Sequence, residues 1–354
     1  MRVLLVRPTA GGGLAAHVDH EHALLAAAGH DVAEAPVQIG PRPRPGADLR
    51  TVRTLRRLLA DAPAPLTLHA HGLRAGALSA LARPRRGGHR LVVTLHNRTV
   101  GGTATRVLGE LLLRVLARGA DTVLAVSPDL AASARRAGAR DVRHAVVPAP
   151  RRPDTPGGSG SARGAEAPGE DAPDTGDPGA DGPGLEVLVL ARLAPQKGLH
   201  DLLDAAALLP PGTARIRVAG DGPLRGELEA RIRAEHLPVV LLGRREDVPA
   251  LLAGADLQVS AARWEGQPVS LQEGLLAGRA IVATDAGGTR WVTGGAAALV
   301  PVGDPAALAA AILAHTDPAV RAAAEAASRR RAAALPADRD LLDQLQEVLA
   351  PGNR

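Results

Sequence analysis

Leu190-Ala191-Arg192-Leu193-Ala194-Pro195-Gln196-Lys197-Gly198 is the stretch on which the fold turns. An apolar run, Val187–Leu190, leads into it, and an amphipathic helical pattern, Leu199–Leu208, leads out. A strand that passes through a short loop into a helix is the unit of a parallel sheet, since a crossover must carry the chain back over the sheet's face. The step repeats downstream. Strands are expected at Ile216–Ala219, Val239–Leu242, Leu257–Ser260, Ala280–Thr284 and Leu299–Pro301, and helices at Leu224–Glu235, Val248–Ala253, Val269–Ala277 and Pro305–His315. Upstream, apolar runs at Val3–Val6, Leu66–Leu68, Leu91–Leu95, Thr122–Val126 and Ala145–Val147 flank helical patterns such as Leu14–Ala28 and Asp48–Ala60. The class is therefore α/β, with two doubly wound parallel-sheet domains facing across a cleft. Ligands of such sheets sit beyond the carboxyl ends of the strands.

The boundary between the halves is compositional. Residues 151–184 hold nine Gly and six Pro and no Val, Ile, Leu, Met or aromatic residue, so they read as a disordered linker. The expected organisation is a first domain over 1–150, a second over 185–335, and a C-terminal helix within 336–354 that could return to the first domain. Phe, Tyr and Cys are absent and Trp occurs twice, so Leu, Val and Ala must pack both cores. The lack of cysteine excludes disulfides, thiolate metal sites and cysteine nucleophiles, and suits a cytoplasmic protein. The N-terminal Met1–Pro8 reads as a short strand rather than a signal peptide, and no apolar run is long enough to span a membrane.

Charge is uneven: residues 1–150 carry 21 Arg against 10 acidic residues, whereas the whole chain totals only +5. Such a surplus suits an anionic membrane surface or a phosphorylated acceptor, or else a solvated arginine-rich face. Arg50, Arg53 and Arg57, on the outer side of a basic amphipathic helix, could touch anionic lipid peripherally. Nucleic acid is not expected as a partner, because aromatic residues for base stacking are missing.

Chemistry-bearing residues gather at the strand ends. Lys197 is the single lysine beside 41 arginines; with Arg192 it places two cations on one loop, suited to neutralising a diphosphate. Val218-Ala219-Gly220-Asp221-Gly222-Pro223 nearly matches a dinucleotide fingerprint, but its third glycine, Gly226, comes late and Pro223 lacks an amide; a tight turn lining a nucleotide pocket is the better reading. In Arg263-Trp264-Glu265-Gly266-Gln267-Pro268-Val269-Ser270-Leu271-Gln272-Glu273, Glu273 follows Glu265 by eight positions. Helical spacing would put them roughly 12 Å apart, wider than the about 5–9.5 Å of hydrolytic carboxylate pairs. The pair reads as a clamp for two hydroxylated groups flanking a phosphate. In the first half, Gly11-Gly12-Gly13 follows the first strand and opens a helix, and His96 ends the strand Leu91–Leu95, with His69 and His71 ending the one before. His17, His20 and His22 cluster on one helix; His17 and His20 would share a face, and no carboxylate completes a metal site. Asp338-Arg339-Asp340 lies in a helical region rather than at a strand end.

In order and spacing these motifs resemble the retaining GT-B glycosyltransferases, especially family 4, the glycosyl transferases group 1. Glu265 and Glu273 match that family's pair of glutamates with seven residues between, and the likeness continues through Ala283–Gly288 and Val300–Pro305. It implies a metal-independent, retaining transfer of a sugar from a nucleotide-diphosphate-sugar donor to a hydroxyl acceptor of unknown identity, with no cofactor. By the same resemblance, Arg192 and Lys197 hold the diphosphate, Glu273 the ribose, and Glu265 the sugar hydroxyls. Gly243 and Arg244 contact the base, while Gly12, Gly13 and Gly266 bring backbone close to the donor and His96 faces the anomeric carbon. The catalytic pair would be His96 and Glu265. The chain departs at Thr289-Arg290-Trp291, where the family usually carries a glutamate. A nucleotide-sugar epimerase or a non-catalytic sugar-nucleotide-binding protein of the same fold would use many of these residues.

Overall fold

A computed structural model describes residues 1–9, 13–40, 42–84, 88–98, 102–148 and 184–350 of the 354. The expected linker, apart from Gly184, and Gly12 lie outside the described residues.

The first sheet holds β1 (Arg2–Val6), β2 (Asp31–Glu34), β3 (Thr67–His71), β4 (Arg90–Leu95), β5 (Thr122–Ala125) and β6 (Val142–His144) in the order β2-β1-β3-β4-β5-β6. The second holds β7 (Leu185–Leu190), β8 (Ala214–Ala219), β9 (Val239–Gly243), β10 (Leu257–Ser260), β11 (Ala280–Thr284) and β12 (Ala298–Val300) in the order β12-β11-β10-β7-β8-β9. All pairings within both sheets are parallel. The helices between them that matter below are α1 (Gly13–Ala27), α2 (Pro45–Asp61), α3 (Leu73–Ala82), α4 (Thr103–Gly119), α5 (Pro128–Arg136), α6 (Leu199–Leu208), α7 (Arg225–Ala234), α8 (Val248–Ala253) and α9 (Val269–Leu276). After α10 (Thr289–Thr293), α11 (Pro305–Ala314) and α12 (Pro318–Ala332), the last helix among the described residues is α13 (Asp338–Leu349).

These orders place the clefts. In the first sheet the chain leaves β1 toward β2 and returns to the other side as β3; in the second it leaves β7 toward β8 and β9 and returns as β10. The loops after β1 and β3, and those after β7 and β10, therefore diverge and leave a crevice between them. Lys197 follows β7 and Glu265 and Gly266 follow β10, while His69 and His71 end β3 itself and His96 follows the neighbouring β4.

Two sequence expectations need correction. The last strand of the first sheet is Val142–His144, not Ala145–Val147. The backbone of 146 and 147 is instead engaged by side chains: Val146 N–H donates to Gln344 Oε1 (2.8 Å), and Gln272 Nε2 donates to the Val147 carbonyl (2.7 Å). β2 was not expected at all, because an edge strand with exposed residues, Asp31-Val32-Ala33-Glu34, carries no apolar run.

The terminal helix returns to the first domain. Leu341, Leu345, Val348 and Leu349 are buried in the same apolar cluster as Leu5, Leu68 and Leu91. Thr67 Oγ1 donates to the Leu349 carbonyl (2.9 Å), and Arg143 pairs with Glu347 (2.6 Å). Each buried side chain contributes roughly 1.5–3 kcal/mol as an upper bound. Leu, Val and Ala fill both cores, joined in the first by Trp264, which crosses over from the second domain.

Candidate active site

Interlocking loops build the second-domain side. Gly198 ends the 3₁₀ turn Pro195–Lys197 with φ +62°, and a Cβ there would lie 1.9 Å from the Ala261 carbonyl. Only glycine permits that contact, which presses the loop after β7 against the loop after β10. Gln196 Nε2 donates to the Trp264 carbonyl (3.0 Å), and Arg263 N–H donates to the Gln196 carbonyl (2.9 Å). Arg263 also grips Asp201 at the start of α6 through two hydrogen bonds of 2.8 and 3.0 Å. The result joins two predicted residues: Lys197 Nζ forms an ion pair with Glu265 Oε1, and Glu265 is buried. Arg192 stands exposed on the same loop.

The near-fingerprint after β8 has a packing role. Cβ atoms on Gly220 and Gly222 would meet the Ala191 and Leu193 carbonyls at 1.9 and 2.5 Å, so this turn clamps the loop that carries Arg192. Gly220 N–H donates to the Gly243 carbonyl (2.7 Å); Gly243 has φ +72°, and Arg244 beside it is exposed. Glu273 lies on α9, half-buried. That helix begins only at Val269, so helical rise covers four of the eight steps between the glutamates and does not hold them the roughly 12 Å apart expected of a continuous helix.

At Gly266 the two domains press together. A Cβ on it would fall 2.6 Å from Val126 Cγ2 and 3.3 Å from the His96 carbonyl, both first-domain groups. Beneath it, Gly287 (φ +57°) and Gly288 admit the Glu265 and Gly266 carbonyls, which would lie 2.0 and 1.8 Å from added Cβ atoms. Trp264 Nε1 donates to Asp129 Oδ2 (3.0 Å) across the interface, and the His144 and Trp291 rings meet edge-on at 4.1 Å. The backbones of His96 and Gly266, 170 positions apart, are thus brought against one another, with Glu265 next in the chain.

Behind His96 the first domain buries a cluster that sequence reading missed. Residues i and i+4 of α1, His17 and Glu21, share a face, as do His69 and His71 two apart on β3. His17 Nε2 lies 2.9 Å from Glu21 Oε1, and Glu21 Oε2 lies 3.3 Å from His69 Nδ1 and 3.2 Å from His71 Nε2. His71 Nδ1 is 3.2 Å from His96 Nε2, and His69 Nε2 is 2.8 Å from Thr94 Oγ1. Burial would raise the Glu21 carboxyl, but the charges of the surrounding histidines outweigh it and hold the group well below the usual range. Burial, then repulsion from His71, pushes His69 down to about 3 and keeps His96 well below its ordinary value. The expectation that His17 and His20 share a helix face does not hold. His17 turns inward to Glu21, whereas His20 points to Asp338 of α13 (2.8 Å). The signals were present as His-x-His on a strand and His-x3-Glu on a helix. Gly13 opens α1 with nothing within 4 Å of an added Cβ.

The family described as glycosyl transferases group 1 matches residues 184–317, and that described as glycosyl transferase 4-like domain matches residues 3–150. The chain belongs to the GT-B glycosyltransferases.

Among solved structures, this glycosyltransferase is similar to Anabaena Alr3699/HepE in complex with UDP. The two are 20% identical with a TM-score of 0.72 over 99% of this chain and 100% of the other. It is similar also to sucrose-phosphate synthase from Thermosynechococcus elongatus, at 18% identity, a TM-score of 0.75 and 98% of both chains. Over 100 residues, 27% of this chain and 26% of the other, it is 35% identical to EpsF of Bacillus subtilis (strain 168), a protein named as a glycosyltransferase. The glycosyltransferase fills its departure from the family pattern locally. Thr289 is buried and donates to the Ala286 carbonyl (2.8 Å), and Arg290 pairs with Asp285 (2.5 Å). No helix among the described residues is long and apolar enough to cross a membrane.

Proposed function

We propose that this glycosyltransferase moves a sugar from a nucleoside-diphosphate donor to a hydroxyl acceptor with retention of configuration, and that no metal ion contacts the diphosphate. The observation that carries the reading is the Lys197–Glu265 ion pair, on loops that also set Gly266 against the His96 carbonyl across the cleft. A donor whose sugar reached Glu265 would have its diphosphate beside Lys197 and Arg192. Glu273 would hold the ribose, Gly243 and Arg244 the base, and Gly12, Gly13 and Gly266 the close backbone approaches. His96, kept neutral, would face the anomeric carbon. Binding would open the Lys197–Glu265 pair, giving each partner a substrate group in exchange.

With no side-chain nucleophile assigned, departure and attack share one face. The anomeric carbon–phosphate oxygen bond breaks as the acceptor oxygen bonds to that carbon, and the acceptor's proton passes to the departing phosphate. Arg192 and Lys197 offset the charge that develops there. Their loop supplies the cations a metal ion would otherwise provide. The only Asp-x-Asp is used elsewhere, Asp338 on His20 and Asp340 on the Ala337 N–H (2.7 Å). UDP and UDP-glucose bound to the Anabaena relative support a uridine nucleotide as the first donor to try.

On the acceptor side, a cavity of about 560 Å³ lies over the first sheet's strand ends, lined by Thr9, Gly40, Arg42, Arg44, Arg50 and Arg74, and suits an anionic acceptor. Arg50, Arg53 and Arg57 are exposed on α2 while Thr51, Leu55 and Leu59 are buried, which supports peripheral contact with an anionic inner membrane surface from the cytoplasm. The test is a thermal-shift panel of UDP-, GDP- and ADP-sugars, followed by product analysis. Glu265→Ala should abolish transfer while the protein stays folded; unchanged turnover would overturn the site assignment. Conversion of donor to its epimer without acceptor would overturn the reaction class.

A further inference from the structure

The buried cluster behind His96 contains three ligand atoms with no hydrogen bond to the protein. They are Glu21 Oε2, His69 Nδ1 and His71 Nε2. These atoms point at one another: the carboxylate oxygen is 3.3 and 3.2 Å from the two nitrogens, and all three lie within 4.8 Å. Their angles do not fit N–H···O bonds, and their residues are no more than 1% exposed. Orphaned buried polar atoms are costly, and three converging on one point need a common partner.

We propose that Glu21, His69 and His71 form a binding site for a divalent cation of the zinc class. Zinc bonds to imidazole nitrogen and carboxylate oxygen at about 2.0–2.2 Å. A tetrahedron of such bonds sets neighbouring ligands about 3.3 Å apart, the spacing found here between the Glu21 oxygen and each of the two nitrogens. Two imidazoles and one carboxylate are a donor set that transition metals accept, and calcium or magnesium would ask for more oxygen.

Each ligand is also steadied from behind, as metal ligands require. His17 holds the other Glu21 oxygen, Thr94 the far nitrogen of His69, and His96 the far nitrogen of His71. An ion on His71 Nε2 fixes that ring's proton on Nδ1, which then donates to His96 Nε2 and leaves the His96 proton on Nδ1. The ion therefore sets the tautomer of the histidine at the cleft without touching the donor. Only this last consequence rests on the transferase reading; the cation site does not.

The experiment uses tag-free, full-length protein and needs no substrate. The protein is unfolded with chelator, refolded with Zn²⁺ or Co²⁺, desalted, and examined by elemental analysis, visible absorption and thermal melting. One ion per chain is expected, with cobalt d–d bands and a Tm that falls in metal-free refolded protein and recovers with one equivalent of zinc. His20→Gln/His22→Gln, which removes the other histidines of α1, should keep the ion; Glu21→Gln and His69→Gln should lose it. Should those variants fail to fold, the wild-type stoichiometry and cobalt spectrum decide. Folded wild type with background metal content and a Tm indifferent to zinc would overturn the proposal, as would an ion lost with His20 and His22.

Discussion

Replacing Gly287 with alanine strikes the candidate site without replacing a charged residue. Gly287 has φ +57°, and its added Cβ would sit 2.0 Å from the Glu265 carbonyl and 3.1 Å from Trp264 Nε1. Alanine in left-handed backbone costs about 1–2 kcal/mol by itself. The contact adds a displacement: restoring an ordinary 3.4 Å separation moves the Glu265 backbone by about 1.4 Å. Misplacement on the order of 1 Å can cost a hundredfold in rate. Gly303→Ala provides the comparison, since Gly303 has φ +75° with nothing within 4 Å of its Cβ. Both variants are melted, then assayed for kcat/KM with the preferred donor. Both should lose similar backbone energy, but only Gly287→Ala should fall in kcat/KM, by about 100-fold. Equal kcat/KM in the two folded variants would refute the placement of Glu265.

Lys197→Ala should weaken nucleoside-diphosphate binding by about 10- to 100-fold, the worth of a hydrogen bond to a charged group, while nucleoside affinity holds; calorimetric titration reads both. Leu345→Ala, which opens a void where α13 enters the first core, should lower stability by about 2–5 kcal/mol in denaturant melts. His144 has its pKa lowered by burial, and its Nε2 takes a hydrogen bond from Gln267 Nε2 (3.0 Å), which needs the neutral ring. A depressed folded pKa stabilises above the unfolded value and loses that contribution as acidification protonates the ring. Wild type should therefore lose Tm more steeply than His144→Asn between pH 7 and 5, with 6.5 as the unfolded reference.

Much of the fold is legible because parallel strands buried on both faces must read as apolar runs. Leu257–Ser260 and Ala280–Thr284 fall where expected, as do the helices Leu199–Leu208 and Val248–Ala253. Edge strands β2 and β6 escape the same logic, since exposure frees their residues from being apolar. In the site, Lys197 and Glu265 are visible as unusual residues at strand ends, but their pairing depends on glycines whose reason is tertiary. Gly198, Gly266 and Gly287 each admit a carbonyl or side chain from a distant loop, so no local pattern reveals them. The histidine cluster hid because its carboxylate, Glu21, looks like an ordinary surface residue of an amphipathic helix until β3 is laid against it.

A crystal structure of the full chain with the nucleoside diphosphate of its preferred donor tests the central claim most directly. The diphosphate should lie on Arg192 and Lys197, the ribose on Glu273, and Glu265 should be released from Lys197 toward the sugar position near His96. A nucleotide seated elsewhere, with the Lys197–Glu265 pair intact, would contradict it.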